Sequence, residues 1–146
     1  MTPHTQLGRS DCWRTCIACL LDVPPEEVPD APGDVKRLNG WLAGRGLTYV
    51  GLPLVGFDVR RVRDYFRETP RVEHVLIGRA SDGGNHSVVA RGGRIIHDPF
   101  PGGKPLTGPV PPGYPARRCL LLQVYSGITS SCAIPRASST GAERRG

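Results

Sequence analysis

What this chain has little of narrows it first. It has no apolar run near the roughly 20 residues that a membrane-spanning helix needs. Neither end carries a basic segment followed by an apolar signal core, so a cytoplasmic location with no membrane partner is expected. Aromatic residues are 6% of the sequence, so the core should be mainly aliphatic. Lysine is nearly missing: of 19 basic residues only Lys36 and Lys104 are lysines, and the net charge of +6 is an arginine excess. Arg60, Arg61, Arg63 and Arg67 cluster, but Asp58, Asp64 and Glu68 are interleaved with them. That mixture predicts a solvated helix face rather than a phosphate-tracking stripe, and no nucleic-acid partner.

Five cysteines is an odd number, and three of them crowd the stretch Cys12 to Cys19. A secreted disulfide framework is thereby disfavoured and reduced thiols are expected. At 146 residues the chain is one domain, long enough to bury a core unaided. Residues 1–126 should form it. Residues 127–146 lack periodicity and read as a disordered tail, and there is no internal repeat.

Pattern and punctuation predict α+β architecture, helices first and sheet second. Ser10 or Asp11 can cap a helix from Cys12 to about Leu21, with Cys12, Cys16, Cys19 and Leu20 on one face. The PPEEVPD stretch reads as a short helical turn, followed by a helix from about Val35 to Gly44 and a strand from Leu47 to Leu54. A third helix is expected from about Asp58 to Glu68, with Val59, Val62 and Phe66 inward. After Pro70 the runs VEHVLIGR, HSVVAR, RIIHD and RRCLLLQVYS predict consecutive antiparallel strands. The Pro- and Gly-rich stretch from Pro99 to Pro115 is either a rim near a site or a surface connection.

Cys12 is the candidate nucleophile. A thiol in the first helical turn meets unpaired N–H groups and the positive end of the dipole, which favour thiolate. Asp11 opposes this unless its carboxylate turns away. The plainer alternative, small hydrophobes on a buried face, fits Cys16 and Cys19 better than Cys12, which stands at the polar end of the stripe. The same three-cysteine spacing occurs in radical S-adenosylmethionine enzymes. Here the cysteines are helical in a short chain, and Ala18 stands where that family has an aromatic residue, so neither an iron–sulfur cluster nor any other metal or cofactor is expected.

Among His4, His74, His86 and His97, the hairpin GNHSVVARGGRIIHDP singles out His86. If Arg91-Gly92-Gly93 forms a three-residue loop, Ala90 pairs with Arg94 and His86 lies opposite Asp98, close enough for the carboxylate to hold the ring. A two-residue Gly92-Gly93 turn would pair Arg91 with Arg94 and put Asp98 on the wrong face. The three-residue loop is therefore predicted. Asn85 is a weaker orienter because adjacent strand residues face opposite ways. The alternative is that His86 and His97 are ordinary strand residues and Asp98-Pro99 merely starts a turn.

Gln6 six residues before a Cys12-Trp13 pair, then Asn85-His86 entering a strand, then Asp98-Pro99, resembles the papain-like cysteine peptidases in residue order. The Asp-Pro ending is most similar to the bacteriocin-processing, double-glycine branch. The resemblance covers about residues 6–21 and 84–99. It implies a papain-like fold with an N-terminal nucleophile helix packed against an antiparallel β-sheet. It also implies a peptide or protein substrate and a peptide or isopeptide bond cleaved through an acyl-enzyme on Cys12. His86 would be the base, Asp98 its orienter, and Gln6 with the Cys12 N–H the oxyanion donors. The same residues would serve a deamidase or acyltransferase, and a catalytically silent binding module could keep the fold. The departures are Asp11 in place of a small residue before the nucleophile, and the absence of an attached transporter domain.

Overall fold

The computed structural model describes residues 1–8, 11–31, 33–111, 113 and 115–124. Ser10, one of the two expected caps, and the expected tail lie outside the described residues.

The first helix, α1 (Cys12–Leu21), begins where the stripe of small residues begins and ends at Asp22, which takes the left-handed conformation with φ 55°. Cys16, Ile17, Ala18 and Cys19 are fully buried. Pro25–Glu27 form a 3-10 turn, tied back to α1 by Arg14, whose Nε donates to the Val28 carbonyl at 2.7 Å. Helix α2 (Val35–Ala43) is capped by Asp34, which accepts from the Arg37 N–H, and it buries Leu38 and Leu42. Strand β1 (Leu47–Pro53) follows.

The third helix is shorter than expected. Asp58 accepts from the Arg60 N–H, and residues Val59–Arg61 tighten into a 3-10 turn. Helix α3 proper covers Val62–Phe66. Three of the four clustered arginines are paired, as the mixed charge predicts: Arg60 with Asp58, Arg61 with Asp64, Arg67 with Glu68.

Strands β2 (Glu73–Arg79), β3 (Asn85–Arg91), β4 (Arg94–His97) and β5 (Arg117–Gln123) complete a five-stranded sheet in the order β1-β5-β2-β3-β4. Each pairing is antiparallel. The last strand inserts between β1 and β2, so the chain returns to the middle of its own sheet. Both faces are covered. Helices α1 and α2 pack on one side, with Val75, Val89, Tyr49 and Cys119 in that core. Phe57, Val62, Phe66, Leu76, Val88 and Leu106 form the other. Hence β3 is buried at all five interior positions rather than alternating.

The β3–β4 turn corrects the predicted three-residue loop. Arg91 pairs with Arg94 and Ala90 with Ile95, leaving Gly92-Gly93 as a two-residue turn. Both glycines have positive φ, 51° and 78°, as a type I′ hairpin requires. Close packing adds a second reason for glycine: a Cβ on Gly92 would lie 2.3 Å from the Pro70 carbonyl oxygen, and one on Gly93 2.6 Å from Arg63 Cα. The register then shifts by one residue, so that Val89 pairs with His97. This β-bulge restores the parity that the short turn removes. Continued beyond the ladder, the shifted register puts Asp98 across from Val88, two residues along the same face from His86.

Candidate active site

Three elements meet at one end of the sheet: the first turn of α1, the start of β3 and the segment leaving β4. His86 is fully enclosed, with 2% of its side chain exposed, and its Nε2 lies 2.7 Å from Asp98 Oδ1. The ring packs edge-on to Phe100, 6.3 Å between centroids. With Nε2 committed to Asp98, Nδ1 is the nitrogen left for the thiol, and His86 and Cys12 lie near enough to shift one another's titration.

Asp98 is held from three directions. Oδ1 also accepts from the Phe100 N–H at 3.0 Å, and Oδ2 accepts from the Lys104 N–H at 2.7 Å. A charge-assisted hydrogen bond contributes about 1.5–3 kcal/mol, against a side-chain ordering cost of at most about 2 kcal/mol. Three such bonds therefore outweigh that cost, and the fold alone holds the carboxylate in place.

Cys12 occupies the first position of α1 and is half-buried. Burial pushes its thiol up, but the neighbouring His86 side chain and the Ser87 backbone and side chain together outweigh it, and the net shift is downward. His86 moves the opposite way. Burial disfavours its charge, yet its hydrogen bonds to Cys12 and Asp98 raise it above the ordinary imidazole value. Opposed shifts of this kind favour a thiolate–imidazolium pair. The other three described cysteines all shift upward, chiefly through burial.

Asp11 caps α1 by position but makes no side-chain cap hydrogen bond. Its carboxylate folds back to Gly8, where an added Cβ would meet Oδ2 at 2.8 Å. The expected Asp11 side-chain cap is thus not formed. The first helical bond runs from the Thr15 N–H to the Asp11 carbonyl at 2.8 Å, so the Cys12 N–H precedes the ladder and has no intrahelical acceptor.

Gln6 is buried. Its Nε2 donates to the Gly8 carbonyl at 2.8 Å, while its backbone N–H donates to the Pro99 carbonyl at 2.8 Å. One side-chain N–H therefore closes its own loop and the second is uncommitted among the described residues. Trp13 turns away from the thiol, and its Nε1 donates to the Tyr49 hydroxyl at 3.2 Å.

The stretch from Pro99 onward is a rim, since it supplies Phe100 and Lys104. With Ser81, Asp82 and Gly103 these two line a cleft of about 550 Å³. A second hollow of about 270 Å³ beside Asp98 is lined by Val88, Ile95, Pro105 and Leu106. Cys12 lines neither.

Sequence reasoning thus singled out Cys12, His86 and Asp98, which the fold brings together, and Gln6, which it ties to the Asp98 segment. It missed Ser87 and the amides holding Asp98. The Phe100 contact had a signal, because Asp accepts from the N–H two residues on in an Asx turn; Ser87 and Lys104 had none. His97, at the end of β4, points to the N-terminal arm, its Nε2 2.7 Å from the His4 carbonyl oxygen. His74 is buried elsewhere against Phe66. Among the described residues no group of three or more His, Cys, Asp or Glu side chains could hold a metal ion, and no helix is long and apolar enough to cross a membrane.

Comparison with protein-family models, with curated proteins and with solved structures returns no match.

Proposed function

We propose that this chain is a thiol hydrolase of papain-like architecture that cleaves a peptide or isopeptide bond through an acyl-enzyme on Cys12. The observation that carries the reading is the meeting of a downward-shifted thiol, an upward-shifted imidazole and a pre-set carboxylate from three separate parts of the chain. The family resemblance in residue order supports the same roles.

In this reading the Cys12 thiolate attacks the carbonyl carbon. The oxyanion is received by the Cys12 N–H and by the Gln6 amide once it swings from Gly8. His86, protonated on Nδ1, gives that proton to the leaving amine as the C–N bond breaks, leaving a thioester. A water then enters, His86 takes its proton, hydroxide attacks the thioester, and the acid departs as the thiol is restored. Asp98 keeps the ring oriented and stabilises its charge throughout. The rim cleft beside Phe100 offers room for a peptide. Free thiols at Cys12, Cys16, Cys19 and Cys119 fit a reducing compartment, and we place the protein in the cytoplasm.

The test is mass spectrometry of a peptide library incubated with the wild type and with Cys12→Ser. Cleavage products that appear with the first and vanish with the second support the proposal. Products gaining the mass of an amide-to-acid change without chain cleavage identify deamidation and overturn it in favour of that chemistry. A library left intact under both, together with Cys12 no more reactive than the buried thiols, overturns the enzymatic reading.

A further inference from the structure

We infer that residues 1–8 are a strap fixing the separation between the helix that carries Cys12 and the strand end that carries Asp98, with His97 as its positioning residue. The inference rests on the thiol-hydrolase reading of the site.

The arm is bonded to the helix on one side. Thr2 Oγ1 donates to Asp22 Oδ1 at 2.8 Å, just past the end of α1, and the His4 N–H donates to Cys19 Sγ at 3.3 Å. On the other side it is bonded to both chain neighbours of Asp98. His97 Nε2 donates to the His4 carbonyl at 2.7 Å, and the Gln6 N–H donates to the Pro99 carbonyl at 2.8 Å. A stretch of five residues, Thr2 to Gln6, thus spans from the nucleophile helix to the orienting carboxylate. It also carries the Gln6 amide, so one tied unit sets the oxyanion donor and the orienter together.

The sheet does not do this work. β4 is an edge strand and its ladder ends at His97, one residue short of Asp98. The bonds of Asp98 to Phe100 and Lys104 lie within its own loop, so they shape that loop without anchoring it. Its far end is pinned where Lys104 Nζ meets Asp82 Oδ2 at 2.6 Å and the Ser81 N–H donates to the Pro105 carbonyl at 3.2 Å. Its near end is pinned by the arm. A hydrogen bond weakens steeply with displacement and misalignment, so release of the near end loosens the hold of Asp98 on His86 and, through it, the thiolate.

His97→Leu removes the donor, whereas His97→Gln offers an amide N–H in its place. The full-length variants are treated with iodoacetamide from pH 4 to 9, below their unfolding temperatures, and modification of the Cys12 peptide is followed by mass spectrometry. The half-point of Cys12 modification is expected to rise by about one pH unit in His97→Leu, slowing labelling about tenfold on the acid side of both half-points. His97→Gln should stay within about threefold of the wild type on the same scale. The strap is overturned if His97→Leu overlays the wild type while Asp98→Ala shifts the profile, or if His97→Gln is as impaired as His97→Leu. If Asp98→Ala also leaves the profile unmoved, the hydrolase reading itself fails and takes the strap with it.

Discussion

His86 Nε2 and Asp98 Oδ1 stand 2.7 Å apart although twelve residues, a hairpin turn and a bulge separate them. The contact commits one ring nitrogen and leaves the other for Cys12, which fixes the tautomer of the neutral base. It also links the carboxylate, the imidazole and the thiol, so a change at any one is felt by the other two.

Asp98→Asn is the sharpest probe of that coupling. Asparagine has a single acceptor oxygen where three donors converge, from His86, Phe100 and Lys104. One donor then faces an amide N–H, and the charge that supports the imidazolium is gone. The proposed turnover is expected to fall by up to about 10⁴, the loss that follows when an orienting carboxylate becomes an amide. Stability should fall by about 1–3 kcal/mol in denaturant titration. Unchanged turnover with reduced stability would reassign Asp98 to loop structure alone.

Selective chemistry at Cys12 follows from the opposed shifts. The thiol lies below its ordinary value of 9.0 and the imidazole above 6.5, so the thiolate persists to lower pH than that of an ordinary thiol. The acid limb of kcat/KM should lie below that of a free cysteine. On the proposed mechanism the alkaline limb, set by loss of the His86 proton, should lie above that of free imidazole. In His86→Ala only Ser87 still opposes the effect of burial on the thiol, so labelling at neutral pH should lose much of its preference for Cys12. Equal labelling of Cys12 and Cys119 in the wild type contradicts this.

Much of the architecture was legible because it is local. Helix starts, proline stops and β-rich runs depend on a few neighbouring residues, and the bounds of α2 and β1 differ from expectation by one residue. The placement of β5 between β1 and β2 was not legible, since runs such as VEHVLIGR and RRCLLLQVYS carry no partner label. The β3–β4 hairpin shows the limit well. A three-residue loop and a two-residue turn plus bulge give the same parity, so the meeting of His86 with Asp98 could be anticipated by the wrong route. Ser87 escaped notice because its contact needs the helix docked across the strand.

Gly93→Ala tests whether that hairpin sets the site. The left-handed backbone costs a non-glycine residue about 1–2 kcal/mol, and the added Cβ would stand 2.6 Å from Arg63 Cα and 2.9 Å from the Val62 carbonyl oxygen. Those atoms are backbone and cannot swing aside. The expected loss is therefore above the conformational cost alone, about 3 kcal/mol or more, and Cys12 labelling should slow at temperatures where the variant is still folded. A loss near 1 kcal/mol would mean that α3 moves freely from the turn.

His74 predicts where the fold fails in acid. It is fully buried, with Nδ1 on the Val72 carbonyl at 3.1 Å and Nε2 without a partner among the described residues. Burial drives it down to about 4, and the nearby Arg118 guanidinium adds to the fall. The unfolded chain takes up this proton near pH 6.5, whereas the folded chain resists until about pH 4. The contribution of His74 is therefore whole above pH 6.5 and drains away as the pH falls through that window. A gap of this size is worth about 3 kcal/mol. His74→Leu forgoes one hydrogen bond, about 1 kcal/mol, but binds no proton in either state. It should be less stable than the wild type at pH 8 and lose less on moving to pH 4.5, with the two stability curves converging or crossing on the acid side. Parallel curves from denaturant titrations across that range would place the acid sensitivity in another group.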